Sequence, residues 1–307
     1  MLTTKSKKQR IMKKITAFGE ILFDIYPDSK NLGGAPLNFI YHINKLVGSG
    51  KIISRVGSDI LGREAIDFLK SNGVSADTIQ TDSNQLTGTA TVVINKNGVP
   101  SFTIEENRAF DFISVDEEAI NIVEDETECL YFGTLAQRSE VSRNTLLTLL
   151  NRDIRYFYDV NIRQKFYSKK ILAESLDAAN AVKLNLDELK LLNKIFLQKD
   201  FDLLTSSKIL MQKFNIDLLA VTKGEDGSVL LDGKKTDEHK TKVQNVIDTV
   251  GAGDAFASIF CIGYLNNWEL KKINRLANEF AAEICQINGA LPKDDKIYEK
   301  YGKEIMK

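Results

Sequence analysis

Apolar positions along the chain follow two periods. Short runs rich in β-branched and aromatic residues predict strands, whereas apolar residues spaced three and four positions apart predict helices. Strands are predicted at 15–26, 51–56, 129–132, 155–160, 181–184, 218–221 and 228–231. Helices are predicted to begin near residues 37, 61, 139, 168, 185, 255 and 270. This alternation is typical of an α/β protein with a mainly parallel sheet.

The alternation is interrupted between Thr87 and Ile104. There, two β-rich runs at 89–94 and 99–104 flank the turn residues 95–98, which is the pattern of a hairpin. A hairpin projecting from an α/β body suits a lid that covers a ligand. A surface projection and a dimer edge fit the same pattern equally well.

Length and composition narrow the class of protein. A chain of 307 residues with 43% hydrophobic and 27% charged residues is typical of a globular protein with one large α/β domain, or with two domains. Because 41 basic residues face 42 acidic ones, no overall field favours nucleic acid or an anionic membrane as partner. No apolar run reaches the ~18 residues that span a bilayer, so a cytoplasmic location is expected. Residues 1–14 carry basic residues and no acid, and are interpreted as a basic tail.

The sequence lacks the residue patterns of several common kinds of functional site. The three cysteines lie far apart in apolar surroundings, so we expect reduced core residues and no structural metal site. Neither His42 nor His239 is near a plausible serine or cysteine nucleophile, which argues against triad hydrolysis. The chain has no GxxxxGK[ST] motif and no GxGxxG after its first strand, so a P-loop and the usual dinucleotide fingerprint are both absent.

The stretch DTVGAGDAF at 248–256 opens a long apolar helix. Its two glycines let the backbone turn tightly, and the free N–H groups at a helix N-terminus favour an anion such as phosphate. Asp254 lies in the first turn of this helix. It is either an ordinary capping carboxylate or a general base beside a phosphoryl group held by the amides of Gly251, Ala252 and Gly253.

Other candidate ligands follow predicted strands. Asp24 is a candidate near the end of the first strand, and Gly33, Gly34 and Asn38 open the next helix, either as a polyol site or as a simple loop-to-helix junction. Asp159, Asn161 and Arg163 cluster at the carboxyl end of a predicted strand. Open α/β sheets bind their ligands at that end of their strands.

Two further segments have a structural and a functional interpretation. Asn185 and Glu188 fit a helix cap with an acid at the third helical position, and they equally fit residues that hold the waters of a magnesium ion. The run 222–227 contains Thr222, Gly224 and Gly227, and is either a hairpin turn or a contact to nucleotide phosphates.

Together these segments resemble the ribokinase/PfkB family of carbohydrate kinases, and within it the bacterial fructokinases. The matching motifs occur in family order: GEILFD at 19–24, GGAPLN at 33–38, DVNIR at 159–163, NLDE at 185–188, TKG at 222–224 and DTVGAGD at 248–254. The resemblance implies a ribokinase-like three-layer α/β sandwich with a mainly parallel central sheet and a small β lid. The domain would span 15–307, with the lid formed mainly by about 86–106 and with 24–32 as a second candidate segment.

The resemblance also implies a function and a set of roles. The expected reaction is ATP-dependent phosphorylation of a free sugar, D-fructose first, with another ketose, ribose or a sugar acid such as 2-keto-3-deoxygluconate as alternatives. A non-catalytic sugar- or nucleotide-binding protein is the competing class. ATP and Mg²⁺ are the implied cofactors, K⁺ is a candidate, and a homodimer through the lid is a candidate assembly.

Residue roles are carried over position by position. Asp254 would be the base, with Gly251, Ala252 and Gly253 as the anion hole. The sugar would contact Asp24, Gly33, Gly34, Asn38 and Arg163. The nucleotide would contact Asn185, Thr222, Gly224, Gly227 and Asn278. Glu188 would hold magnesium through water, and Asp248 with the Val250 carbonyl would hold a monovalent cation. Arg108 replaces an apolar residue expected in fructokinases, and is a candidate for an additional cation in the sugar pocket.

Overall fold

The computed structural model describes residues 14–94, 100–241 and 245–306. Residues 1–13 of the predicted basic tail lie outside this range, as does the predicted hairpin turn at 95–98. Within the described residues, no helix is both long and apolar enough to cross a membrane.

A central sheet of nine strands forms the middle layer. Its strands, in chain order, are β1 Ile15–Phe18, β4 Gly50–Gly57, β5 Ile79–Asp82, β8 Cys129–Gly133, β9 Arg155–Asp159, β10 Ala181–Asn185, β11 Leu218–Thr222, β12 Ser228–Leu231 and β13 Thr236–His239. They are ordered β13-β12-β11-β10-β9-β8-β1-β4-β5 across the sheet. The pairs from β5 to β11 are parallel, and β12 and β13 add an antiparallel edge.

A second, smaller sheet lies beside the first. It contains β2 Leu22–Ile25, β3 Lys30–Gly33, β6 Gly88–Ile94 and β7 Pro100–Ile104, in the order β3-β2-β6-β7. β6 and β7 are the antiparallel hairpin predicted from the sequence, and β2 pairs with β6 in parallel. The strands β2, β3, β6 and β7 therefore share one sheet that is separate from the central one.

The first predicted strand, 15–26, is wrong as a single element. β1 ends at Phe18 and β2 begins at Leu22, in the other sheet. Gly19 has a φ of 145°, and a Cβ at this position would lie 2.7 Å from Cγ of Pro36. Because glycine accepts this backbone conformation, the chain turns there and leaves the central sheet. Asp24 consequently lies on the small sheet and not at the end of a central strand.

Helices cover both faces of the central sheet. They are α1 Ala35–Val47, α2 Ile60–Ser71, α3 Glu117–Asn121, α4 Glu140–Leu149, α5 Lys169–Ala178, α6 Leu186–Leu192, α7 Leu203–Phe214, α8 Ala252–Leu265, α9 Leu270–Ile284 and α10 Lys296–Met306. One apolar core packs α1, α8, α9 and α10 against the sheet, and a second core packs α4, α5 and α7 against the opposite face. The predicted three-layer sandwich with a small β lid is confirmed.

Local sequence explains where the site-forming helices begin and end. α1 starts after Gly34, has Pro36 in its first turn, and stops at Gly48, whose φ of 70° suits glycine. α8 is almost wholly buried, as its continuous apolar sequence predicts. Cys129 and Cys261 are buried and free, with their sulfur atoms 3.9 Å apart, and Cys285 is also free, as the sequence predicts.

Candidate active site

The site lies at the carboxyl ends of the central parallel strands. β1 is flanked by β4, which is the next strand of the central sheet along the chain, and by β8, which is reached only after β5, β6 and β7. This reversal in strand order is the switch point at which open α/β sheets bind ligands. The N-termini of α1 and α8 both reach this point, and the small sheet borders it through Leu22, Ala90 and Ile104.

The N-terminus of α8 presents free backbone donors. Gly251 has a φ of 78°, and a Cβ there would lie 2.3 Å from Cβ of Ala290, so only glycine fits. The N–H of Ala252 donates to Thr249 O at 3.3 Å. Within the described part of the chain, the N–H groups of Gly251 and Gly253 have no hydrogen-bond acceptor. These two amides and the helix dipole make the turn an anion site.

Asp254 is held by a residue from α1. The side-chain amide of Asn38 donates to Asp254 Oδ2 at 2.8 Å, although the two residues are 216 positions apart in the sequence. Burial raises the pKa of Asp254 to about 6, against the effect of this hydrogen bond, which lowers it. A carboxylate with a pKa near 6 is ionised at neutral pH and still basic enough to accept a proton.

Four of the five predicted sugar residues line one cavity of about 320 Å³ with Asp254. Asp24, Gly34, Asn38 and Arg163 all border it. Burial raises the pKa of Asp24 to about 6, and the Arg163 guanidinium opposes this shift. Gly33 is not a lining residue, but a Cβ at this position would lie 3.7 Å from Asp24 Oδ2, in ordinary contact.

A buried ion pair that sequence reasoning missed lies below the anion site. Lys183 on β10 is 7% exposed, and its Nζ donates to Asp159 at 2.9 and 3.0 Å. A Cβ on Gly253 would lie 3.4 Å from this Nζ, so the ammonium sits directly beside the glycine turn of α8. Although burial works against its charge, Asp159 and Glu188 keep the pKa of Lys183 above its ordinary value. The sequence feature that could have identified this ion pair is a lysine within the otherwise apolar strand sequence AVKLN.

Asn185 and Glu188 form the helix cap that the sequence offered as one interpretation. The Asn185 side chain accepts from Glu188 N at 2.9 Å, and Glu188 Oε2 accepts from Asn185 N at 2.7 Å. Glu188 Oε1 accepts from Ile162 N at 2.8 Å, so both carboxylate oxygens already hold backbone groups. Neither residue lines the cavity of about 320 Å³ or the second cavity, which is lined by Thr222, Gly224 and Asn278.

The second cavity, of about 580 Å³, contains the other predicted nucleotide residues. Thr222, Gly224, Gly227 and Asn278 all line it. Gly227 has a φ of 77°, and a Cβ there would lie 2.0 Å from His239 O, so glycine is required beside β13. The two cavities share Thr249 and Gly253 and therefore meet at the glycine turn of α8.

Asp248 joins two loops behind this turn. Its Oδ1 accepts from Val250 N at 3.0 Å and its Oδ2 accepts from Gly289 N at 3.1 Å. The contact fixes the segment that leads into α8.

Arg108 is not among the residues that line the sugar cavity, and its backbone N–H donates to Asp111 Oδ2 at 3.0 Å. The structure thus does not bring Arg108 to the sugar site.

Comparison with known proteins shows the family to which this chain belongs. The model of the pfkB family carbohydrate kinases matches residues 12–296. The chain belongs to this family. It is a fructokinase-like carbohydrate kinase, as the motifs predict.

Individual relatives are similar over nearly their whole length. The fructokinase of Escherichia coli is 27% identical, with 91% of this chain and 95% of that protein covered. The crystal structure of the sugar kinase PH1459 from Pyrococcus horikoshii has a TM-score of 0.80 at 27% identity, and the match covers 96% of this chain and 100% of that one. A structure of PH1459 in complex with ATP matches with a TM-score of 0.77 at 25% identity, covering 95% and 99% of the two chains.

Proposed function

We propose that this kinase transfers the γ-phosphoryl group of ATP to a hydroxyl of a free, uncharged sugar, with D-fructose as the first candidate. The observation that carries the proposal is the meeting of the two cavities at the N-terminus of α8. Asp254 faces the cavity lined by the predicted sugar residues, and the glycine turn beside it opens into the cavity lined by Thr222, Gly224 and Asn278. Donor and acceptor can thus meet over free amides and one carboxylate.

Phosphoryl transfer requires positioning and charge stabilisation rather than covalent help from the protein. In the proposed reaction, Asp254 accepts the proton of the sugar hydroxyl. The hydroxyl oxygen bonds to the γ-phosphorus of ATP, and the bond between that phosphorus and ADP breaks. The N–H groups of Gly251 and Gly253 and the Lys183 ammonium then face the oxygens of the transferred group. Asn38 orients Asp254 throughout.

The residues of the site suit a Mg²⁺ ion that enters bound to ATP, and they do not form a separate metal site made of protein ligands. Among the described residues, no three acidic, histidine or cysteine side chains form a metal-binding group, and Mg²⁺ is commonly held by waters and substrate phosphates. Bound there, the ion would neutralise phosphate charge. Glu188 would act through water while its carboxylate keeps the backbone contacts to Ile162 and Asn185. Asp248 and the Val250 carbonyl are proposed to hold a monovalent cation behind the turn.

Two features support an uncharged sugar, and fructose in particular. Curated relatives named fructokinase are similar over most of the chain at 26–27% identity. The segment Gly33-Gly34-Ala35-Pro36 also contains no lysine that would meet a substrate phosphate. Another ketose, ribose or a sugar acid remains the alternative substrate within the same class.

The small sheet is proposed to act as the lid of the sugar site. Leu22, Ala90 and Ile104 of this sheet lie against the cavity that holds Asp254. A lid there would keep water from the phosphoryl group and limit futile hydrolysis of ATP. Its edge strands β3 and β7 are the candidate contact for a homodimer.

ADP release from ATP and Mg²⁺ tests the proposal against a panel of free and charged sugars. The panel contains fructose, ribose, mannose, tagatose, glucose, 2-keto-3-deoxygluconate and fructose 6-phosphate. Turnover confined to fructose supports the full proposal, and turnover on another neutral sugar retains the chemistry with a different substrate. Turnover only on the acid or the phosphate contradicts the uncharged acceptor. Sugar binding without any turnover favours a non-catalytic binding protein.

A further inference from the structure

Glu20 is a buried carboxyl in the sugar cavity that takes no part in the proposed phosphoryl transfer. It lies two residues beyond the end of β1, at the switch point of the central sheet, and is 4% exposed. It lines the same cavity as Asp24, Asn38 and Asp254. A carboxyl group is removed from water at a considerable cost in free energy unless its oxygens find partners, so its position calls for an explanation.

One oxygen of this carboxyl has no partner. Glu20 Oε2 is buried without a hydrogen bond, and so is Oδ1 of Asn38 in the wall of the same cavity. Unpaired buried polar atoms are uncommon in native proteins, and at a binding site they mark places where a ligand supplies the missing partner. Sugar hydroxyls both donate and accept hydrogen bonds, so they complement a carboxyl and an amide oxygen together.

The backbone around Glu20 keeps the carboxyl at the cavity. The N–H groups of Glu20 and Ala35 lie close enough to lower the pKa of the carboxyl, which places the group at the start of α1. A Cβ on Gly34 would lie 2.5 Å from Glu20 O and 3.4 Å from its Cγ. Glycine at 34 therefore allows the Glu20 segment to approach α1 and leaves no side chain between them.

Charged groups on four other elements surround Glu20. Asp254 on α8 and Asp24 on β2 line the cavity as carboxyls, and Arg163 after β9 lines it as a cation. The ammonium of Lys183 on β10 is already paired with Asp159. Burial, followed by the charge of Asp254, raises the pKa of Glu20 to about 7. Near neutral pH the group thus has a protonated form that donates a hydrogen bond, in addition to its accepting form.

We propose that Glu20 hydrogen-bonds a hydroxyl of the acceptor sugar and is a specificity-determining residue of the site. The inference rests on the proposed sugar kinase function and adds a contact to it. It differs from the role of a helix cap, which would stabilise α1 without sensing the substrate. A site built to pair a substrate hydroxyl discriminates strongly against an analogue without it, because the protein group is then left unpaired.

Two variants separate the contact from the cap. Glu20→Met keeps the length of the side chain and removes both polar oxygens, and Glu20→Gln keeps a hydrogen-bonding group of the same shape. By calorimetry, Glu20→Met is expected to weaken fructose binding by about 10- to 100-fold, with less than about 3-fold change for ATP. Glu20→Gln is expected to recover most of the loss. Melting temperatures of both variants report any effect on α1 alone.

Deoxyfructose analogues make the test direct. In the wild type, removal of the one hydroxyl that faces Glu20 should cost about 10-fold or more in affinity, and in Glu20→Met the same removal should cost less than about 3-fold. If every deoxy analogue loses the same factor in both proteins, Glu20 does not contact the sugar. If Glu20→Met fails to fold, a crystal structure of the wild type with fructose decides, and a Glu20 carboxyl more than about 3.5 Å from every sugar hydroxyl overturns the inference.

The same measurements distinguish failure of this inference from failure of the proposed function. A wild type that phosphorylates fructose, or another neutral sugar whose deoxy series replaces that of fructose, retains the function whatever Glu20→Met shows. A wild type that binds sugar without turnover overturns the kinase reaction, and the binding data still decide the role of Glu20. A wild type that neither binds nor phosphorylates any sugar of the panel overturns both.

Discussion

The amide of Asn38 donates to Oδ2 of Asp254 at 2.8 Å and so joins the N-termini of α1 and α8. Each of these helices follows a glycine at a positive φ, Gly34 at 110° and Gly251 at 78°. The two helices pack together in one apolar core, so the bond has a rigid support on both sides. Asp254 is thereby oriented toward the sugar cavity before any ligand arrives, which reduces the entropic cost of assembling the reacting groups.

Asp254→Asn should lower kcat by roughly 100-fold or more, since the amide cannot accept the hydroxyl proton. Fructose affinity should change little, because the side chain keeps its size. Asp187→Asn serves as the control, since Asp187 is an exposed residue of α6 that lies outside both cavities. The measurement is steady-state ADP release combined with sugar binding by calorimetry. A near-normal kcat in Asp254→Asn would remove Asp254 from the mechanism.

The rate of the wild type should fall in acid with a midpoint near pH 6. Burial raises the pKa of Asp254 to about 6, and a general base works only as the carboxylate, so kcat/KM, which reports the pKa values of the free enzyme, should decrease as the pH falls through that value. Asn38→Leu removes the hydrogen bond that lowers this pKa, so its acid limb should move to higher pH. Profiles of kcat/KM from pH 5 to 9 test both statements.

A control for this shift lies on the same helix. Asn44 is on α1, and its amide donates to Asn72 O and Gly73 O, away from the cavity. Asn44→Ala should leave the acid limb where it is in the wild type. An acid limb that stays in place in Asn38→Leu would show that the bond to Asp254 does not set its basicity.

The sequence predicts those parts of this molecule that local pattern determines. The apolar periods locate the strands β8 to β12 and the helices α1, α4, α5, α8 and α9, and the glycine motif locates the turn that begins α8. Asp24, Asn38, Arg163 and Asp254 come together at one cavity as the family motifs imply. These features depend on residues close in sequence, or on motifs whose order is itself informative.

Other features depend on contacts that no local pattern contains. The break at Gly19 arises because the chain turns under Pro36, so an apparently continuous strand divides between two sheets. β13, with the sequence TDEH, has no apolar period and is stabilised by pairing with β12. Lys183 reaches Gly253 only through the packing of α8 on the sheet, so its role at the site has no signal in the spacing of motifs.

Gly251→Ala should disable the anion site and destabilise the protein. A Cβ there would lie 2.3 Å from Ala290 Cβ in a backbone conformation with φ of 78°, so the turn must shift. We expect a loss of about 3 kcal/mol in the free energy of unfolding and at least a 100-fold fall in kcat. Urea denaturation and steady-state kinetics measure the two effects.

Gly233→Ala is a matched control for this substitution. Gly233 has a φ of 80°, but a Cβ there meets nothing within 4 Å. It should cost only the ~1–2 kcal/mol of the left-handed conformation, with kcat unchanged. If both variants lose the same stability and keep the same kcat, the close approach of Gly251 to Ala290 has no functional importance.

Lys183→Met should lower both stability and kcat, and a second substitution should separate the two effects. The single variant leaves the buried Asp159 without its cation, which costs about 3–5 kcal/mol in the free energy of unfolding. Adding Asp159→Asn removes the unpaired charge and keeps an acceptor for the Tyr131 hydroxyl, now 3.1 Å from Asp159. The double variant should therefore recover most of the lost stability.

The kcat of the double variant should stay at least about 100-fold below wild type if the ammonium faces the transferred phosphoryl group. Lys190→Met, at an exposed ion pair of α6, controls for loss of charge alone. Recovery of kcat together with stability would limit Lys183 to a structural role.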